Sequence, residues 1–250
     1  MILAPLAARY ASWLGLPAEE TALPEASPDE VRAMPVILRM EKAEPPGRTP
    51  LLEAAASAAL AVCLDERAKP GGEWHEPVRD WVSGHIRKVA RRARGAHWQA
   101  VQELPGVTVE VDGAEARALL PGRVVDAPKE VSRLQISGSE LPPDEPGPVP
   151  ADTPVLLLNP GVAMTVGKAA AQVGHGTMLL ASLLDERRLT AWAERGFCCA
   201  VRVPGRLEWA ELHPGDDPGR AWAERSVIAV RDAGFTEVDP GTVTVLAQWR

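Results

Sequence analysis

Residues 139–153 read Ser-Glu-Leu-Pro-Pro-Asp-Glu-Pro-Gly-Pro-Val-Pro-Ala-Asp-Thr, with five prolines. Proline fixes φ and has no amide hydrogen, so a stretch this dense continues neither a helix nor a central strand and runs extended. The chain must therefore build its core from two blocks, residues 33–138 and 154–250. The segment 139–153 links them, and residues 1–32 form a lead-in whose 20–31 stretch is acidic and proline-rich.

The second block has strong periodic signals. Pro154 to Asn159 is a short apolar run of the kind that becomes a buried strand. Gly167 to about Arg188 reads as a helix, followed by a shorter one over Leu189 to Arg195. Cys198 to Val203 reads as a strand, Leu207 to His213 as a short helix and Pro214 to Gly219 as a loop. Ser226 to Arg231 and Thr242 to Gln248 are further strands, the last one after an Asp239-Pro240-Gly241 turn. Strands alternating with helices predict a layered α/β fold.

The first block echoes the second. Pro35-Val36-Ile37-Leu38 resembles Pro154-Val155-Leu156-Leu157. A helix ending in Leu64-Asp65-Glu66-Arg67 matches one ending in Leu184-Asp185-Glu186-Arg187. Counting back from that ending sets Gly47-Arg48 against Gly167-Lys168, Leu52 against Gln172 and Ala55 against His175. Further on, Asp126-Ala127 and Glu130-Val131 echo Asp232-Ala233 and Glu237-Val238. The expectation is two tandem related domains, with the N-terminal copy degenerate. Between these landmarks, Trp74 to Leu104 reads as a long helical stretch carrying Arg87, Lys88, Arg91, Arg92 and Arg94. Such a run is either a solvated face or a phosphate-contacting patch.

Composition narrows the function. A net charge of −7 argues against a chain that coats nucleic acid non-specifically, while leaving room for a local basic patch. Cys63, Cys198 and Cys199 are odd in number and two are adjacent, which suits apolar fillers in a reducing compartment better than a disulfide framework. No Cys/His cluster has zinc spacing, so no metal is expected. The longest apolar stretch, Ala54 to Leu64, is too short to span a membrane, and the N-terminus lacks the positive region of a signal peptide. A soluble cytoplasmic protein is the expectation.

The chemistry concentrates at residues 164–175. On a helix, Lys168, Gln172 and His175 fall within a stripe of roughly 60°. Thr165 is placed to cap that helix, and Gly167 leaves its first turn uncrowded. Free backbone N–H groups and a lysine would then converge where an anion or a developing oxyanion can sit.

Two blocks of this region resemble the type II peptidyl-tRNA hydrolases, the archaeal and eukaryotic type. Met164-Thr165-Val166-Gly167-Lys168-Ala169-Ala170-Ala171-Gln172-Val173-Gly174-His175 is similar to the family's Met-Gly-Lys-Gly-Lys-x-Ala-Ala-Gln-x-x-His. Asp232-Ala233-Gly234-Phe235-Thr236-Glu237-Val238-Asp239-Pro240-Gly241-Thr242-Val243-Thr244 is similar to Asp-Ala-Gly-Arg-Thr-x-x-x-Pro-Gly-x-x-Thr. The resemblance implies a three-layer α/β/α fold with a small mixed β-sheet between helices, usually paired as a homodimer, and hydrolysis of the ester joining a peptide to the 3′ ribose of tRNA, with no cofactor. It implies a site in which Lys168, His175, Asp232 and Thr236 do the chemistry while Gly167, Gln172 and Thr244 hold the substrate. Asp232 or His175 would orient or deprotonate a water, and Lys168, the helix N-terminus and Thr236 would stabilise the tetrahedral intermediate.

The departures are at cations. Val166 stands where the family has a second lysine, Phe235 where it has arginine, and Gly161-Val162-Ala163 where it often has Asp-Leu-Lys. Phosphate contacts dominate nucleic-acid affinity, so tRNA would bind more weakly unless the basic segment, through Arg87 and Arg91, compensates. Two readings follow: a hydrolase acting on peptidyl-tRNA, or a non-catalytic RNA- or protein-binding module that keeps the fold. In either, the two blocks are expected to pack as a pseudo-dimer within one chain, compatible with a monomer.

Overall fold

The computed structural model describes residues 1–21, 27–136, 138 and 140–250. Part of the acidic lead-in (22–26) and Ser139 at the head of the linker lie outside the described residues. In the first block β1 (Arg32–Arg39) leads into α2 (Arg48–Leu64) and α3 (His75–Ser83). Then come β2 (Lys88–Ala93), α4 (Gly95–Gln102), β3 (Gly106–Val111), β4 (Ala114–Leu119), the short β5 (Gly122–Arg123) and α5 (Lys129–Ser132). In the second block β6 (Val155–Leu158) leads into α6 (Val166–Leu183) and α7 (Glu186–Glu194). Then come β7 (Ala200–Arg202), α8 (Arg206–Leu212), α9 (Pro218–Arg225), β8 (Val227–Arg231) and β9 (Val243–Gln248). A first helix, α1 (Ala4–Gly15), precedes both blocks.

The protein is α/β, with two mixed sheets. The strand orders are β2-β1-β4-β3, with β5 pairing the start of β1, and β7-β6-β9-β8. In each sheet the two strands joined through helices run parallel (β1 with β2, β6 with β7) and the other neighbours run antiparallel. Helical crossovers supply the length that a parallel connection needs.

Helices α2 and α6 are apolar nearly all round, and such a helix stays in a core. They lie face to face between the sheets, α2 on β1, β3 and β4, α6 on β6, β8 and β9. Their small residues allow close approach. A Cβ added at Gly174 of α6 would meet the Ala59 Cβ of α2 at 3.1 Å and the Lys88 side chain at 3.1 Å. The Thr177 hydroxyl donates across the seam to the Ala56 carbonyl at 2.9 Å. One apolar core runs through both blocks. The outer face of each sheet is covered separately, by Trp98, Val101 and Val131 in the first block and by Trp209 and Leu212 in the second.

Several sequence expectations need correction. Trp74 to Leu104 is not one helix: the basic run forms β2, hydrogen-bonded alongside β1. Arg, Lys and Ala are good helix formers, but pairing with a buried neighbouring strand outweighs propensity. The Pro214 to Gly219 loop includes the start of α9, where Asp217 caps the Arg220 amide and Pro218 takes the first turn, a recognised helix opening. Asp126-Ala127 is not the counterpart of Asp232-Ala233, because it follows β4 instead of joining β3 to β4. The Pro35/Pro154 alignment is off by one residue. Val36 and Leu38 share the central core with Leu156 and Leu158, while Ile37 faces outward like Val155 and Leu157. A one-residue slip exchanges the two faces of a strand, so by burial Val36 matches Leu156 and not Val155.

The first residues do more than lead in. Leu3, Leu6 and Tyr10 are buried in the central core. The Tyr10 hydroxyl accepts from the Ala229 amide at 2.8 Å, and the Trp13 indole donates to the Arg231 carbonyl at 3.2 Å. Thus α1 covers β8, the edge strand of its sheet, which would otherwise present unpaired backbone groups. The linker is also anchored: Asp144 accepts from the Thr49 amide at 2.7 Å, and the Gly147 carbonyl accepts from Arg202 at 2.8 Å. Among the described residues no helix is long and apolar enough to cross a membrane.

Candidate active site

Thr165 caps α6 as its position suggests: its hydroxyl accepts from the Lys168 amide at 3.1 Å. Glu237 in turn accepts from the Thr165 amide at 3.0 Å and hydroxyl at 2.8 Å. These bonds fasten the loop 232–242 to the start of α6. The loop is folded back on itself. The Asp232 amide donates to the Thr242 carbonyl and its own carbonyl accepts from Gly241. Gly234 has φ +80°, and a Cβ there would lie 2.5 Å from Pro240, so only glycine fits.

Within this frame the predicted polar stripe meets the predicted loop. Lys168 Nζ donates to Asp232 Oδ2 at 2.8 Å and to Thr236 Oγ1 at 3.3 Å. Gln172 Nε2 donates to the same Asp232 oxygen at 2.6 Å. Behind it, the Thr244 hydroxyl donates to Gln172 Oε1 at 2.5 Å, which fixes the amide's orientation. Asp232 and Lys168 are 8% and 9% exposed, so this is a nearly buried ion pair. Such a pair persists only when further hydrogen bonds satisfy it, as here. Oδ2 of Asp232 has two donors. Among the described residues Oδ1 has one, the Gly234 amide at 2.7 Å, which leaves a lone pair for a water.

A cavity of about 620 Å³ opens beside this network. Gly167, Lys168, Gln172, His175, Asp232 and Thr236 all line it, whereas Thr244 supports from behind. The opposite wall comes from α1 and from residues 83–90 of the first block. Arg87 lies there with its guanidinium 4.4 Å from the Phe235 ring centre. Arg91 is turned to the other face of β2, where it donates to the Leu134 carbonyl at 2.7 Å, and it takes no part in the cavity.

His175 does not bond to Asp232. Its Nδ1 lies 3.1 Å from Lys88 Nζ of β2. Burial, and then the positive charges of Lys88 and Lys168, hold the imidazole well below its ordinary pKa, so it is neutral near pH 7. Burial also pulls the Lys88 ammonium down to about 7. Its aliphatic chain runs against Gly174, with Nζ 5.1 Å from the Trp81 ring centre. Sequence reasoning placed Lys88 on a helix and missed it. The Arg-Lys run was the available signal, but its meaning depended on reading a strand. Among the described residues no group of three His, Cys, Asp or Glu side chains could hold a metal.

The arrangement offers a buried cation pinned by a carboxylate, a hydroxyl, a capped helix start and a neutral imidazole around one cavity. That combination suits attack of water on a carbonyl whose oxygen becomes negative. Comparison with known proteins points the same way. Residues 153–248 match the family model described as peptidyl-tRNA hydrolase PTH2. Proteins named peptidyl-tRNA hydrolase from two strains of Halobacterium salinarum are each 32% identical over 94 residues, 37% of this chain and 80% of theirs. No solved structure matches the chain significantly.

Proposed function

The chain belongs to the peptidyl-tRNA hydrolase PTH2 family, and from that premise we propose that it hydrolyses the ester between a peptide and the 3′ ribose of tRNA. The observation that carries this reading is the chain of hydrogen bonds from Thr244 through Gln172 and Asp232 to Lys168, all directed at one cavity wall. Asp232 Oδ1 orients a water for attack on the ester carbonyl. Lys168 and the Thr236 hydroxyl stand where the carbonyl oxygen gains charge. Collapse of the tetrahedral intermediate breaks the bond to the ribose oxygen, which takes the proton lost by the water. The products are a peptide carboxylate and a free tRNA 3′ end. His175 is a neutral hydrogen-bonding wall of the same cavity.

Arg87 supports a nucleic-acid substrate. It brings a guanidinium over Phe235, where the resembling family carries its own arginine. We further propose that residues 33–138 are a degenerate copy of 154–250 and that the two make a pseudo-dimer in one chain. The identical strand order and pairing senses, and the seam of α2 on α6, support it. A chain acting on peptidyl-tRNA would work in the cytoplasm.

The test is release of peptide from peptidyl-tRNA at low salt by the wild-type protein and by Asp232→Ala. Release that depends on Asp232 supports the reading. Binding of tRNA without release by the wild type would favour the non-catalytic RNA-binding alternative, and neither binding nor release would favour a protein-binding module, for which the missing cations at Val166 and Phe235 speak.

A further inference from the structure

The site's cavity is closed by the first block, and one side chain of that block reaches a site residue directly. We infer that Lys88 is a positioning residue that sets the tautomer of His175: by donating to Nδ1 it leaves the imidazole proton on Nε2 and makes His175 a hydrogen-bond donor in the cavity. This rests on the hydrolase reading for its consequence in catalysis, though not for the tautomer itself.

Three observations carry it. First, Lys88 Nζ and His175 Nδ1 are 3.1 Å apart, and among the described residues His175 is the hydrogen-bonding partner of that ammonium. The other groups around it are the Trp81 ring of α3, and the Cys63 thiol of α2, which burial raises to about 12 and keeps protonated. Neither offers a carboxylate to draw the ammonium away. Second, Gly174 makes room for the contact: a Cβ there, one residue before His175, would lie 3.1 Å from both Lys88 Cδ and Cε, closer than ordinary van der Waals contact. Third, the reciprocal position in the other block lacks the feature. Val36 pairs with Ala90 and Leu156 with Val201, so Lys88, the first residue of β2, and Cys199, just before β7, hold the same place two residues earlier in the chain. Cys199 crosses the seam toward α2 as Lys88 crosses toward α6, but it meets the Glu53 carbonyl at 3.8 Å and the Ser57 hydroxyl at 3.9 Å. Where Lys88 finds a histidine that lines the cavity, Cys199 finds packing.

A neutral imidazole with its proton on Nε2 donates and does not accept there. His175 then assists by hydrogen bonding to substrate or to the oxyanion, and deprotonation of the water falls elsewhere. The wrong tautomer at such a position lowers turnover without removing binding.

Nitrogen-15 NMR of the labelled imidazoles tests this without any substrate. Below pH 7, where Lys88 is an ammonium, the expected wild-type spectrum shows His175 with an unprotonated, hydrogen-bonded Nδ1 and a protonated Nε2. Lys88→Met is expected to move both resonances toward the average of the two tautomers. It is also expected to lower kcat for peptide release by about tenfold or more with KM within about twofold. Lys88→Arg, which keeps a donor, is expected to restore part of both. A protonated Nδ1 in the wild type overturns the inference, and that spectrum suffices even if Lys88→Met does not fold. Unchanged resonances in a folded Lys88→Met protein overturn it too. The expected tautomer in a wild-type protein that releases no peptide would overturn the hydrolase reading alone.

Discussion

Helices α2 and α6 occupy the same place on the same kind of sheet, yet only α6 carries the Lys168-Gln172-His175 stripe. In the shared register Arg48 stands at Lys168, Leu52 at Gln172 and Ala55 at His175. Arg48 points its guanidinium at the carbonyls of Leu141 and Met164, 3.4 Å from each, and so serves the linker and the approach to α6. The larger difference lies in the loops. Strands β8 and β9 are joined by residues 232–242, which deliver Asp232, Thr236 and Glu237. Their counterparts β3 and β4 are joined by the Asp112-Gly113 turn alone, with φ of +47° and +78°. That turn has no residues to match Thr236 and Glu237. The first block instead walls the cavity and supplies Arg87 and Lys88.

The largest effect that tests this contrast should come from the loop. Replacing residues 232–242 by an Asp-Gly turn like that of the first block is expected to abolish peptide release. Asp232→Ala alone should reduce kcat/KM by about 10³-fold, in the range for removal of one preorganised electrostatic group. Steady-state assays on peptidyl-tRNA check both, and retained activity in the loop-swapped protein would break the assignment of chemistry to the second block.

Next comes stability. Lys168→Met leaves the Asp232 carboxylate nearly buried without its cation, and urea unfolding should show a loss of about 3–5 kcal/mol. Arg48→Met at the matching position removes only long hydrogen bonds and should cost about 1 kcal/mol or less. Equal losses would mean that the two positions are equivalent supports. Gly174→Ala should cost about 1–3 kcal/mol by overpacking the seam. It should also lower turnover by displacing Lys88, whereas Ala54→Gly at the α2 counterpart should leave turnover unchanged.

A smaller effect is a pH dependence. Lys88 has a folded pKa of about 7, against about 10.4 when unfolded. Above pH 7 the unfolded chain therefore binds more protons, and the stability difference between wild type and Lys88→Met should rise with pH from 7 to 9. Taking the difference is essential, because buried Cys63 and Cys199 act in the opposite sense once unfolded thiols ionise near about pH 8.5. A flat difference across that window would mean that Lys88 stays charged in the fold. Cys199→Ala, at the reciprocal place, should change stability by about 1 kcal/mol and leave turnover untouched.

How much of this was legible in the sequence follows the range of the interactions. The stripe on α6 could be read because residues three and four apart meet on any helix, and Thr165 capped it by local chemistry alone. Asp232 was found through its motif, not through physics, since no local rule brings it across 60 residues to Gln172. Lys88 was misplaced for the same reason compounded: its strand depends on β1, and its contact spans 87 residues. The parity of β1 against β6 was invisible in two prolines that happened to precede each apolar run. The role of α1 was hidden because burial of Tyr10 and Trp13 is meaningful only beside β8.

That last docking has a consequence for the order of events as the chain is made. Tyr10 emerges early but its backbone partner, Ala229, follows 219 residues later. At about 5–20 residues per second, α1 waits on the order of 10–40 s for the strand it covers. During that interval its apolar face is open to chaperones, and the cavity wall it forms does not exist. The cavity is therefore complete only once β8 has been made and α1 has docked on it.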